Sequence, residues 1–181
     1  MANYGVTNST NFASQPAMTT TYTGLVAVAA TSGAFTNAPA FVGQRRGKIY
    51  DILVGTNGTA ADNSMEWIVS RATVGSSPVW VGSVSSVSST FALDQADQGF
   101  ASFCTVNASG ASSTVFSILN SPPWYVGINQ RASYRWVAAP GSEIVWPANT
   151  SATGTNGLVG GARSVQGYTG TATMSVLFQE Q

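Results

Sequence analysis

No stretch of ten or more residues in this chain carries the 3.6-residue spacing of an amphipathic helix. What recurs instead is period 2. In Met65-Glu-Trp-Ile-Val-Ser-Arg71, Trp67 and Val69 fall on one face and Glu66 and Ser70 on the other. Residues 171–178 alternate Met174, Val176 and Phe178 with Ser175 and Leu177. Residues 49–54 are apolar on both faces and read as a central strand. Further strands are expected over 22–29, 100–106, 114–119, 124–128 and 158–165, with a weaker one over 79–81, and residues 91–97 read as extended or as a single turn. Turn residues separate them, including Gly55-Thr-Asn-Gly58. The pattern predicts an all-β, single-domain, jelly-roll-like β-sandwich of about eight to ten short strands.

Residues 129–147, Asn-Gln-Arg-Ala-Ser-Tyr-Arg-Trp-Val-Ala-Ala-Pro-Gly-Ser-Glu-Ile-Val-Trp-Pro, read as two strands joined by a tight turn and as the centre of the core. Ala132, Tyr134, Trp136 and Ala138 alternate with Arg131, Ser133, Arg135 and Val137, so one face is apolar and the other carries guanidinium groups. Pro140 pre-sets φ and Gly141 is free to take φ > 0, which marks the turn. Glu66 or Glu143 is the expected partner of Arg131 and Arg135, within the protomer or across a subunit contact. Asp51 and Asp62 are expected to satisfy backbone donors in turns.

Residues 1–21 hold no charge and no regular period, so they are expected to form an extended N-terminal arm, with the sandwich over 22–181. Tyr4, Val6 and Phe12 are its separated apolar anchors. The basic run Arg45-Arg46-Gly-Lys48 offers a docking site for an acidic partner surface, or a charged edge that blocks sheet pairing.

Charge and residue usage exclude several functions. Seven basic and seven acidic residues cancel, which argues against nucleic acid as a partner, since phosphate binding needs a net basic surface. No apolar run of about 18 residues offers a helical membrane span, and no secretory leader is expected from Met-Ala-Asn-Tyr-Gly-Val. Only 8% of residues are charged, so electrostatic self-repulsion is weak and a homo-oligomer, a trimer, is expected. The chain has no histidine, which removes the commonest general base and most zinc sites. Cys104 reads as a buried, inert thiol. A calcium loop from Asp94, Gln95 and Asp97 is outweighed by ordinary capping, and no cofactor or metal is expected. A carboxylate pair is the one enzymatic route left, and Trp80, Trp124 and Tyr125 the one stacking platform for a glycan, with core filling favoured over it.

Several segments carry a resemblance. They are Met1-Ala-Asn-Tyr-Gly-Val6, Ile49-Tyr-Asp-Ile-Leu-Val-Gly55, Ala61-Asp-Asn63, Leu93-Asp-Gln-Ala-Asp97, residues 129–141, Tyr168-Thr-Gly170 and Leu177-Phe-Gln-Glu180. Through them the chain resembles small virion structural proteins of tailed bacteriophages, of the capsid decoration or cement type. The resemblance implies a β-rich, non-enzymatic subunit made in the host cytoplasm and carried in the virion. Its partner would be the major capsid protein or another virion protein. A receptor- or glycan-binding head of a tail fibre is the alternative.

Overall fold

The computed structural model describes residues 2–8, 20, 22–29, 46–59, 61–73, 90–94, 96, 103–106, 122–146, 156–166 and 168–181. Among them are strands and no helix. The strands are β1 (Asn3–Thr7), β2 (Thr23–Ala29), β3 (Gly47–Thr59), β4 (Ser64–Thr73), β5 (Thr90–Ala92) and β6 (Phe103–Val106). They continue with β7 (Trp124–Asn129), β8 (Tyr134–Val137), β9 (Ile144–Trp146), β10 (Asn156–Ser164) and β11 (Thr169–Glu180). One sheet, A, runs β5-β1-β11-β3-β8, with β9 also on β3; the other, B, runs β6-β2-β10-β4-β7. Every pairing is antiparallel.

The pairings trace one long double-stranded ribbon. β4 pairs with β7, β3 with β8 and β9, β2 with β10, and β1 with β11. Successive rungs fall in alternate sheets. The ribbon is then rolled up, so that β11 also pairs with β3 and β10 with β4. β5 and β6 widen the two sheets beyond β1 and β2.

The sheets enclose one apolar core. Sheet A contributes Tyr4, Val6, Ile52, Met174 and Phe178; sheet B contributes Leu25, Trp67 and Leu158. Each large side chain removed from water there is worth about 1.5–3 kcal/mol. The apolar run of β3 has a local cause. The register against β11 jumps from Leu177↔Asp51 to Phe178↔Ile49, leaving Tyr50 as the extra residue of a bulge. The bulge shifts the parity, so Ile49 and Ile52 both point inward although three positions apart. Glycine is required at Gly47, because a Cβ there would lie 1.9 Å from the ring of buried Trp146.

Four expectations are corrected. Residues 134–137 and 144–146 do not pair with each other; β8 and β9 lie in tandem along one edge of β3. The turn itself is as read, with Ser142 N–H donating to Ala139 C=O at 2.8 Å and Gly141 at φ +85°. It closes a loop that leaves and rejoins the same edge, so this stretch flanks the core instead of centring it. The long β11–β3 pair holds the centre of sheet A. Gly55-Thr-Asn-Gly58 is no turn, because β11 is long enough to pair β3 through Thr59, with Gly58 absorbing φ 135°. Residues 3–7 are not an arm. They form β1, an interior strand of sheet A, with Tyr4 and Val6 buried.

Asn8 anchors β1 beyond its last paired residue. Its Nδ2–H donates to Ala172 C=O at 2.9 Å, and its Oδ1 accepts from Met174 N–H at 2.6 Å. The amide side chain thus copies one more rung of the ladder. Gln130 plays a similar part at the other end. Fully buried, it accepts from Ala61 N–H at 3.1 Å and donates to Ser164 Oγ at 3.2 Å.

Candidate interaction surface

The outer face of sheet A is built by the residues that alternate with the core. The register sets Phe91, Gly5, Leu177, Asp51 and Val137 side by side in one row across five strands. Leu53 stands one rung away, between Ser175 and Arg135. Phe91, Leu53 and Val137 remain 45%, 47% and 58% exposed. Gly5 lets this row form. Its missing side chain leaves room for the Phe91 ring, whose Cζ would lie 2.3 Å from a Cβ at that position. Isolated exposed apolar residues are ordinary; here Phe91, Leu53 and Val137 share one sheet face with half-buried Leu177, the buried Asp51 lying between Leu177 and Val137, and exposed apolar residues gathered on one face mark a contact surface.

Several polar groups of this face bond across its strands. Ser175 Oγ donates to Thr7 Oγ1 at 2.7 Å, Gln179 Nε2 to Asn3 Oδ1 at 3.2 Å, and Thr173 Oγ1 to Gly55 C=O at 3.1 Å. Its charges are matched in the same way. Arg135 Nε reaches both oxygens of Asp51 at 3.1 Å, across the β3–β8 seam. Lys48 Nζ bonds Glu143 Oε1 at 3.0 Å. The Arg135 guanidinium is held even more firmly protonated than usual, chiefly by its hydrogen bonds to Asp51. No net charge is left over from these pairs.

The outer face of sheet B is different in kind. Glu66, on β4, accepts hydrogen bonds from Arg163 on β10 and from Tyr22 Oη at 3.0 Å. Arg163 lies over the Tyr22 ring, 4.7 Å from its centroid. The hydrogen bond from Arg163, followed by those from Tyr125 and Tyr22, holds the Glu66 carboxyl below the usual range. Burial first, then Glu66, pushes the Tyr22 phenol up to about 12. A phenol so raised stays protonated and is no nucleophile, and the cluster clasps neighbouring strands together.

The residues singled out in the sequence fall in several places. Tyr4 and Val6 are buried in the protomer, so a partner cannot reach them. Lys48 is bound to Glu143, and Arg46 is exposed, its carbonyl accepting from Gln181 N–H at 2.8 Å. Phe12, Arg45, Trp80, Gln95 and Asp97 lie outside the described residues, and of Cys104 only the strand position is described. Trp124 is buried, which leaves Tyr125 as the one described, exposed member of the aromatic platform.

Arg135 pairs with Asp51 and Arg131 with Asp62, not with Glu66 or Glu143, and the two aspartates serve ion pairs more than turns. Asp94 caps Ala96 N–H at 2.9 Å. Phe91, Leu53 and Val137 were not singled out as surface residues by the sequence. The available signal was Leu177, an apolar residue in the polar phase of a strongly alternating strand; Leu53 lies in a run that reads as apolar on both faces. Set against protein-family models, curated proteins and solved structures, the chain matches none.

Proposed function

We propose that this chain is a structural subunit of a bacteriophage particle, a capsid decoration or cement protein that stabilises the shell by protein–protein contacts. The observation that carries this reading is the outer face of sheet A, where Phe91, Leu53 and Val137 are exposed and several polar groups already bond across the strands. Such a face suits association more than chemistry. The four acids Asp51, Asp62, Glu66 and Glu143 each sit in an ion pair with Arg or Lys, so no carboxylate pair is assigned a catalytic role.

The rolled ribbon supports a jelly-roll reading of the sandwich, with the two sheets β1-β11-β3-β8 and β2-β10-β4-β7 as its halves. Jelly rolls serve both capsid and lectin domains, so this is an argument from fold analogy alone. The neutral surface favours a protein partner, such as the major capsid protein, over nucleic acid. The virion is the proposed location and no cofactor is assigned.

Imaging of particles purified from the source of the gene tests the proposal. Copies at regular positions on the shell are expected. Copies confined to a tail tip would shift the assignment to a receptor-binding head, and particles lacking the chain would overturn it.

A further inference from the structure

We infer that the outer face of sheet A seats a second copy of this chain, packed sheet against sheet about a two-fold axis. The inference builds on the assembly role proposed above and names the partner of that surface. Three observations carry it.

The first is charge. The Asp51–Arg135 and Lys48–Glu143 pairs each close within the face. A partner bringing unmatched charges would find no counter-charge and would lose their hydration. An identical face brings none from these pairs.

The second is desolvation. Covering a polar sheet surface is costly when its groups must give up water without replacement. Here Thr7, Ser175, Asn3, Gln179 and Thr173 already bond across the strands, so they keep partners when water leaves. What remains to be covered is Phe91, Leu53, Val137 and half-buried Leu177, and Leu177 lies on β11, the middle strand of the five. A patch placed in this way can meet its own copy, as an isologous contact requires.

The third is size. The six strands β1, β3, β5, β8, β9 and β11 of sheet A span 5, 13, 3, 4, 3 and 12 residues, 40 in all. At ~3.3 Å per residue and ~4.8 Å between strands, the face covers roughly 600 Å² in flat projection, and more as corrugated accessible surface. Stable complexes bury about 800 Å² per partner. The face is therefore of the right order for a dimer, and sheets stacked ~10 Å apart would interdigitate Leu53, Phe91, Val137 and Leu177.

Sedimentation velocity of the full chain across a hundredfold micromolar range tests this, alongside Leu53→Glu and a control, Val165→Glu, exposed at the end of the neighbouring sheet's β10. The wild type and the control should sediment at twice the protomer mass. Leu53→Glu should weaken association at least ~100-fold, because it replaces apolar contact surface with a carboxylate that must lose its water in the seam, which even Arg135 alongside does not offset. If Leu53→Glu alters the circular dichroism, Val137→Glu on the edge strand β8 carries the same test.

A monomeric wild type, a trimer, or a dimer indifferent to both substitutions overturns the inference. Binding to purified particles separates it from the proposed function. A monomer that binds shells and loses them on Leu53→Glu places the face on the shell, defeating the inference and sparing the function. A Leu53-dependent dimer absent from every particle does the reverse.

Discussion

Asn8 decides whether the N-terminal segment belongs to the core. Its side-chain amide satisfies Ala172 C=O and Met174 N–H at a site with no solvent exposure. Asn8→Ala removes both bonds and leaves two buried backbone groups without partners, each costing about 1–3 kcal/mol. The expected loss is therefore roughly 2–6 kcal/mol. For a chain of this length about 2–4 °C of Tm accompanies each kcal/mol, so a fall of roughly 4–24 °C is expected. Asn8→Asp refines the test. Its carboxylate still accepts from Met174 N–H, but it faces Ala172 C=O with no donor while buried and charged. At pH 7 it should be at least as damaging as alanine. Urea unfolding followed by circular dichroism reads both. A loss under about 1 kcal/mol for Asn8→Ala, or an Asp variant as stable as wild type, would refute the reasoning.

Deleting residues 2–8 should abolish cooperative thermal unfolding, since it strips β1 from between β11 and β5; an unchanged melting curve would restore the picture of a free arm. Gly47→Ala drives a methyl into the Trp146 ring and should cost about 1–3 kcal/mol, with the penalty shrinking in a Gly47→Ala, Trp146→Leu double variant. Additive losses would show that the two do not touch. Acid and alkali should act on the sheet B cluster from opposite sides. Glu66 is depressed, so its contribution is complete above about pH 4.5 and fades as pH falls through its lower folded value. Tyr22 is raised, so its contribution is complete below pH 10 and fades as pH climbs toward 12. Glu66→Gln should flatten the acid limb in a pH series of melting temperatures, and an unaltered limb would remove Glu66 from the account.

The strands of this protein are easier to read than their neighbours. Alternation placed β4 and β11 within a few residues of their ends, and Trp67, Val69, Met174 and Phe178 are buried as their phase requires. Pro140 and Gly141 specified their turn because turn geometry is local. That β8 and β9 both lie on β3 is not local. It depends on the length of the β3 edge and on Asp51 meeting Arg135 from 84 positions away. β1 escaped notice because five residues interrupted by Gly5 make a weak period, and the amide that secures it bonds to the far end of the chain. The apolar residues of the outer face had a partial signature, Leu177 in the polar phase of β11. Phe91 could join it only once Gly5 was known to lie alongside.

β11, the middle strand of sheet A, is the last strand the ribosome delivers among those described. Its partners β1 and β3 are both made earlier and must wait with open edges. Thr7 and Ser175, joined in the finished sheet, are separated by 168 positions. So many distant pairings raise the contact order, and all-β chains of high contact order fold over milliseconds to seconds. The ribbon offers an order for this: β4 can meet β7 first, with β3, β2 and β1 finding their opposite strands at growing separations. Until β11 arrives, two unpaired edges are open to capture by neighbouring nascent chains. Yield in a cell should accordingly depend on synthesis rate and temperature more steeply than the stability of the finished sandwich alone would suggest.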